Sequence, residues 1–481
     1  MGKFKKVLFM VAIVAALVMS SCSGKHKNYI PGDSKVVGKL DLKEFFIQSG
    51  IDREKLMADI ADAFGDDAGI EDCGLDLAEP VYFFANTKGK NTSGGAIIKV
   101  DDAKKAKDWI SDKMKKDLDD KEDNYEYYAE SDFAAGINDD VLVFVFVDGN
   151  KSKAKNELRK VINQESDVDL GDNEVFQKME NSEGFACVYA DMSIIPAEVT
   201  ASNKTASDVR KMTMGVDASY KDGICDIECQ VTSDDEKIQK KIDKGRSMFK
   251  NISAKAAEML PKDSPFGILL NAKGSNYAEL IKDFVNDMGQ RLTPEIKAVI
   301  DVINKIDGDI VYYCADVDAL PLPRSYGSEM GQMCLIVESD DFTNDIVDLL
   351  SDSNNDNYNE DDSALAYEDE YGYGDSYSYS SGPSLEETAN GYCIDNSAWF
   401  GYSNGAMWFS TKDKKIVPFE KADDPVPSFF TDFVKDHCFV LYVNLASVKS
   451  LKSQMGSKEK RQLNAFSEFF DKTKFITLSM K

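Results

Sequence analysis

A chain of 481 residues exceeds what one hydrophobic core usually organises, and its 43% hydrophobic and 10% aromatic content is enough to fill two or three cores. The 57 Lys+Arg against 85 Asp+Glu leave a formal charge of -28, which repels a phosphate backbone and argues against nucleic acid as a partner. Only two histidines are present, so a site built on three imidazoles cannot form within one chain.

At the amino terminus, Lys3, Lys5 and Lys6 precede an apolar run from Val7 to Met19, and Ser20 and Ser21 lead to Cys22. The run is too short for a permanent span, which takes about 20 residues, and reads as a cleavable signal over residues 1–21. A cysteine directly after small residues resembles the bacterial lipoprotein signal. That resemblance implies cleavage before Cys22 and acylation there, including palmitate. Several acyl chains hold a protein on a membrane far more firmly than one. Residues 22–29 then form a tether. Ser23 in place of an aspartate implies, by the same resemblance, the outer membrane, facing the periplasm, with the cell surface as the alternative. An ordinary secretory signal is the alternative reading, with Cys22 left as a thiol.

Beyond the tether the chain repeats itself. Ile30-Pro31-Gly32-Asp33-Ser34 returns as Leu260-Pro261-Lys262-Asp263-Ser264, and Val81-Tyr82-Phe83-Phe84-Ala85 returns as Val311-Tyr312-Tyr313-Cys314-Ala315, both 230 residues later. Blocks at Ile97 and Ile336, at Gly136 and Gly401, and at Cys187 and Val440 continue the same order. This predicts two tandem homologous domains, 30–233 and 259–481, joined by a helix over 234–258. Val141 to Val147 and Cys438 to Val443 read as strands, whereas Lys104 to Lys116 and Ala278 to Met288 carry helical spacing. Each copy is therefore expected to be α+β, a mainly antiparallel sheet with helices packed on one face. Asp41, Asp191 and Asn444 each follow a strand and precede a helical run, the position of a capping residue. The lysines of 234–258 read as a solvated face. Residues 351–390 hold eleven acids, six tyrosines and no Lys or Arg, and read as a disordered acidic insertion of the second copy.

Chemical motifs are scarce. Gly401-Tyr402-Ser403-Asn404-Gly405 spells a nucleophile elbow, but its flanks read as two strands, and the elbow requires a strand leading into a helix. His437 is the only downstream imidazole, so Ser403 with His437 defines the hydrolase alternative. Eight cysteines follow Cys22, most of them in apolar runs, and a Cys314–Cys334 cross-strand bridge is the pairing singled out for test. Adjacent carboxylates recur at Asp66-Asp67, Asp119-Asp120, Asp139-Asp140, Asp234-Asp235, Asp340-Asp341, Asp361-Asp362 and Asp423-Asp424, and that abundance dilutes each as a catalytic pair. The stretch from Asp352 fails as an EF-hand, because its sixth position is not Gly and its twelfth, Ser363, is not Glu. No phosphate-binding glycine motif is present, and no cofactor or metal is expected.

The lipoprotein signal, followed by Tyr29-Ile30-Pro31-Gly32-Asp33-Ser34, Val37-Gly38-Lys39-Leu40-Asp41-Leu42 and Ser49-Gly50-Ile51-Asp52, resembles an uncharacterised family of Bacteroidetes lipoproteins known as a domain of unknown function. No catalytic residue is carried over from it. The expected function is a non-enzymatic binding or scaffold module of the cell envelope, held to the membrane by lipid on Cys22, its partner an envelope protein or an apolar ligand. The alternatives are a Ser403/His437 hydrolase and a carrier of an apolar ligand.

Overall fold

The computed structural model describes residues 25–56, 73–76, 78–88, 91–164, 173–197, 204–287, 291–320, 331–352, 384–413, 416–450, 460 and 466–481. Cys22, Asp66-Asp67, Asp361-Asp362 and most of the acidic insertion lie outside them. Nineteen strands are described: β1 (Val36–Leu40), β2 (Val81–Lys88), β3 (Asn91–Lys99), β4 (Asp120–Glu122), β5 (Tyr125–Glu130), β6 (Phe133–Ile137), β7 (Val141–Val147), β8 (Ala186–Asp191), β9 (Thr213–Lys221), β10 (Ile224–Thr232), β11 (Phe266–Lys273), β12 (Ile306–Cys314), β13 (Met333–Ser339), β14 (Leu385–Thr388), β15 (Gly391–Ile394), β16 (Ala398–Ser403), β17 (Ala406–Ser410), β18 (Phe439–Asn444) and β19 (Phe475–Met480). The chain is α+β and its sheets are mainly antiparallel. It divides into a first unit, Met1–Ser247 with Tyr442–Lys481, and a second, Met248–Leu441. The closing segment, Tyr442–Lys481, thus belongs to the first unit, although the repeat read from the sequence ends at 481.

In the first unit the strand order is β4-β5-β6-β7-β3-β2-β1-β8-β9-β10-β19, antiparallel throughout except for the parallel pair β10–β19. Its main helices are α1 (Leu42–Ser49), α2 (Ala103–Met114), α3 (Lys151–Ile162), α4 (Glu174–Glu180) and α5 (Glu236–Arg246). They pack on both faces of the sheet, which corrects the expectation of helices on one face. Ile97 and Val143 join a core with Leu158 of α3 and Phe176 of α4. Their chain neighbours Ile98 and Leu142 point the other way, into a core with Ala106 and Ile110 of α2. The cause lies in β7 itself: Val-Leu-Val-Phe-Val-Phe-Val is apolar at every position, as a strand covered on both faces must be.

In the second unit the order is β14-β15-β16-β17-β13-β12-β11, all antiparallel. It follows the same connectivity as β4-β5-β6-β7-β3-β2-β1. Its helices include α6 (Ala254–Glu258), α7 (Pro294–Asn304), α8 (Thr343–Asp352) and α9 (Ser428–Lys435). The stretch 234–258, expected as one helix, holds α5 and α6 with a break between them. Lys237, Lys240, Lys241 and Lys244 of α5 are exposed, as a solvated face requires. β14 forms within the stretch expected to be disordered, because Leu385 to Thr388 pair with β15.

Register refines the match between the two strand sets. Gly38 faces Phe83 across β1–β2, and Ile268 faces Tyr312 across β11–β12. Phe83 therefore corresponds to Tyr312, one residue from the Tyr313 that the sequence blocks align with it. A one-residue slip exchanges the faces of a strand, and the similar residues of Val-Tyr-Phe-Phe hide it.

Candidate functional site

The motif around Ser403 is a hairpin. Ser403 of β16 lies opposite Ala406 of β17, and Asn404 (φ 51°) and Gly405 (φ 75°) turn the chain between them in the left-handed conformation that two-residue hairpins favour. Its hydroxyl is buried, with no hydrogen-bond partner. His437 follows α9. Its Nδ1–H donates to the Phe433 carbonyl at 2.8 Å, and its ring lies 4.3 Å from that of Phe433. β16 stands four strand steps from β11, whose Asn271 N–H bonds the Cys438 carbonyl next to His437. At about 4.8 Å per step, roughly 19 Å of sheet lies between the two. The structure does not bring Ser403 and His437 together.

His26, the other imidazole, is 1% exposed. Its Nε2–H donates to the Pro80 carbonyl at 2.7 Å, its ring lies against Tyr82, and burial lowers its pKa. The strand-ending residues are caps: Asp41 accepts from Glu44 N–H, Asp191 from Ser193 N–H and Asn444 from Ala446 N–H. Of the acidic pairs, Asp341 accepts from Thr343 N–H at the start of α8, and Asp235 caps α5. The Cys314–Cys334 bridge is excluded by register. Cys314 stands opposite Met333 and Cys334 opposite Tyr313, so the two thiols project from opposite faces.

Three polar arrangements escaped the sequence reading. Asp309, fully buried where β12 departs from regular register, accepts from Ser253 N–H and Oγ–H and from Asn271 Nδ2. Its own N–H donates to Glu338, which is paired with Lys255. Asp-Gly-Asp inside an apolar run at 307–309 was the available signal. Second, Tyr189 donates to Asp217 at 2.5 Å, and Gln230 and Ser182 bond the same carboxylate. Burial, then the hydrogen bond to Asp217 and its charge, push the Tyr189 phenol well above its usual range. Third, a cleft of about 300 Å³ opens between the ends of β3 and β7 and the face of α3, lined by Thr92, Ser93, Asp148, Lys153, Asn156 and Lys160 among others. Ser93 donates to Glu157 there, and Lys160 pairs with Glu157. Charged and hydroxyl side chains share this lining with Val147.

No curated protein and no solved structure matches the chain. A family model does match, over residues 26–323. This stretch takes in β1 to β10 of the first unit and β11 and β12 of the second. The chain belongs to the family described as a domain of unknown function, DUF4836.

Proposed function

We propose that this chain is a lipoprotein of the cell envelope, held to the outer membrane by lipid on Cys22 and facing the periplasm, and that it serves as a non-catalytic binding or scaffold module made from two copies of one unit. The observation that carries the duplication is a pair of equivalent hydrogen bonds. Asp41 N–H donates to the Phe185 carbonyl, and Asn271 N–H, 230 residues later, donates to the Cys438 carbonyl. The turn before each first strand repeats as well, with Ser34 N–H on Pro31 and Ser264 N–H on Pro261, both at 2.9 Å. The shared strand order adds to this support.

The anchor rests on the lysines, apolar run and Cys22 of the amino terminus. The separation of Ser403 from His437 removes the geometric ground for the hydrolase reading. The cleft between β3, β7 and α3 is small, half open and partly charged, which does not match the enclosed apolar pocket that an apolar cargo needs. The test is incorporation of a clickable palmitate into the wild type and into Cys22→Ala, with detergent partition of both. Label lost and partition shifted to the aqueous phase in the variant is expected. Equal labelling would remove the anchor.

A further inference from the structure

The right half of the first unit's sheet has two faces of opposite character. On β9, β10 and β19, one face carries Asp217, Asp226, Glu228, Thr477 and Ser479, where Asp226 accepts from both hydroxyls. The opposite face of the same strands, extended across β8, contains no charged residue. It consists of the even-numbered positions of β8, β9 and β19 and the odd-numbered positions of β10, and its only polar side-chain atoms are the Tyr220 hydroxyl and the sulfurs of Cys225, Cys229, Met214 and Met480. Val188 is 47% and Met214 42% exposed on it, and Val216, Ile227, Val231 and Leu478 are partly exposed. The α2 core, joined by Leu42 and Phe46 of α1, covers the far end of this side, over β3, β6 and β7, and α1 lies against β9 at the Tyr220 end, where Gln48 accepts from Tyr220 N–H.

A sheet must bury an apolar face, and an exposed one this continuous marks an interaction surface. We propose that this face binds the same face of a second copy, two sheets stacking about a two-fold axis. Three features select this occupant. The face is broad pleated sheet, so its complement is another broad surface, and sheets stack on sheets at about 10 Å. With β1 it measures roughly 24 by 20 Å at ordinary strand spacing, less the Tyr220 end where α1 packs against β9, so two copies bury somewhat under the ~1,000 Å² of a stable specific interface, the range of a weak, concentration-dependent dimer. A two-fold contact is satisfied by one self-complementary patch, and this patch is uncharged in a chain of formal charge -28. Such a contact does not depend on the lipid anchor.

Sedimentation velocity of the chain from Ser23 to Lys481, which keeps every described residue, tests it without lipid. The expected result is a concentration-dependent shift to twice the monomer mass that grows with added salt, as screening weakens repulsion between the acidic bodies. Met214→Lys is expected to abolish the shift, and Val188→Lys provides a second variant at an exposed position. Each is read with circular dichroism to establish folding. Maleimide labelling of Cys229 should fall as wild-type concentration rises. A monomer at every concentration and salt level, or a dimer untouched by both folded variants, would overturn the proposal. Binding of the monomer to phosphatidylcholine vesicles, lost in Met214→Lys, would assign the face to lipid and overturn it equally.

Discussion

Tyr189 lays its ring across Gly215. A methyl group built on Gly215 would fall 2.5 Å from the ring's Cε1, so only glycine lets the phenol reach Asp217 on the same face. Gly215→Ala therefore forces the ring aside, and overpacking of this kind costs about 1–3 kcal/mol. Tyr189→Phe, which keeps the ring and removes one donor to Asp217, should cost about 1–2 kcal/mol. Urea unfolding followed by circular dichroism measures both, and a neutral Gly215→Ala would show that the ring does not sit there.

Asp309 supports a different prediction in the second unit. Its carboxylate accepts from Ser253 and Asn271 in a site with no exposure, so Asp309→Ala leaves buried donors unpaired. A loss of about 3 kcal/mol or more is expected, and less for Asp309→Asn, which keeps one acceptor. Trp399 and Trp408, both in the second unit, report its unfolding by fluorescence in a Trp109→Phe background.

His26 makes the first unit sensitive to acid. Burial lowers its pKa in the folded state, so near and below the ordinary histidine value the unfolded chain binds the proton more tightly. Stability from this group is full above pH about 6.5, the ordinary value, and falls as the pH drops below it. In His26→Gln the fall in thermal midpoint between pH 7 and pH 5 should be smaller than in the wild type. Identical slopes would exclude His26 as a source of the acid sensitivity.

Ser403 should be chemically inert. The wild type is expected to take no label from a fluorophosphonate probe, and so is Ser403→Ala. Label on Ser403 would support the hydrolase reading in spite of the four strand steps that separate Ser403 from His437.

Much of this architecture was legible in the residues. The repeated Pro-x-Asp-Ser turn and the collinear blocks anticipated the shared strand order, because turns and strand pairings are written in local sequence. The alternation of residue types in Thr213–Lys221 and Ile224–Thr232 is enough to separate a polar from an apolar face. Three features were faint or absent in the sequence. The burial of both faces of the sheet was readable only from the unbroken apolar run of β7. The register of β12 depended on pairing with β11 and β13, which a single strand does not encode. The bonding of Asp309 required Ser253, 56 residues earlier in the chain. The proposed lipidation of Cys22 rests on sequence alone.

The most direct test of the lipid-anchored account is mass spectrometry of the amino-terminal peptide from protein isolated from its own membranes. The account predicts a peptide beginning at Cys22 and carrying acyl mass on that residue. A mature chain that begins elsewhere, or an unmodified Cys22, would contradict it.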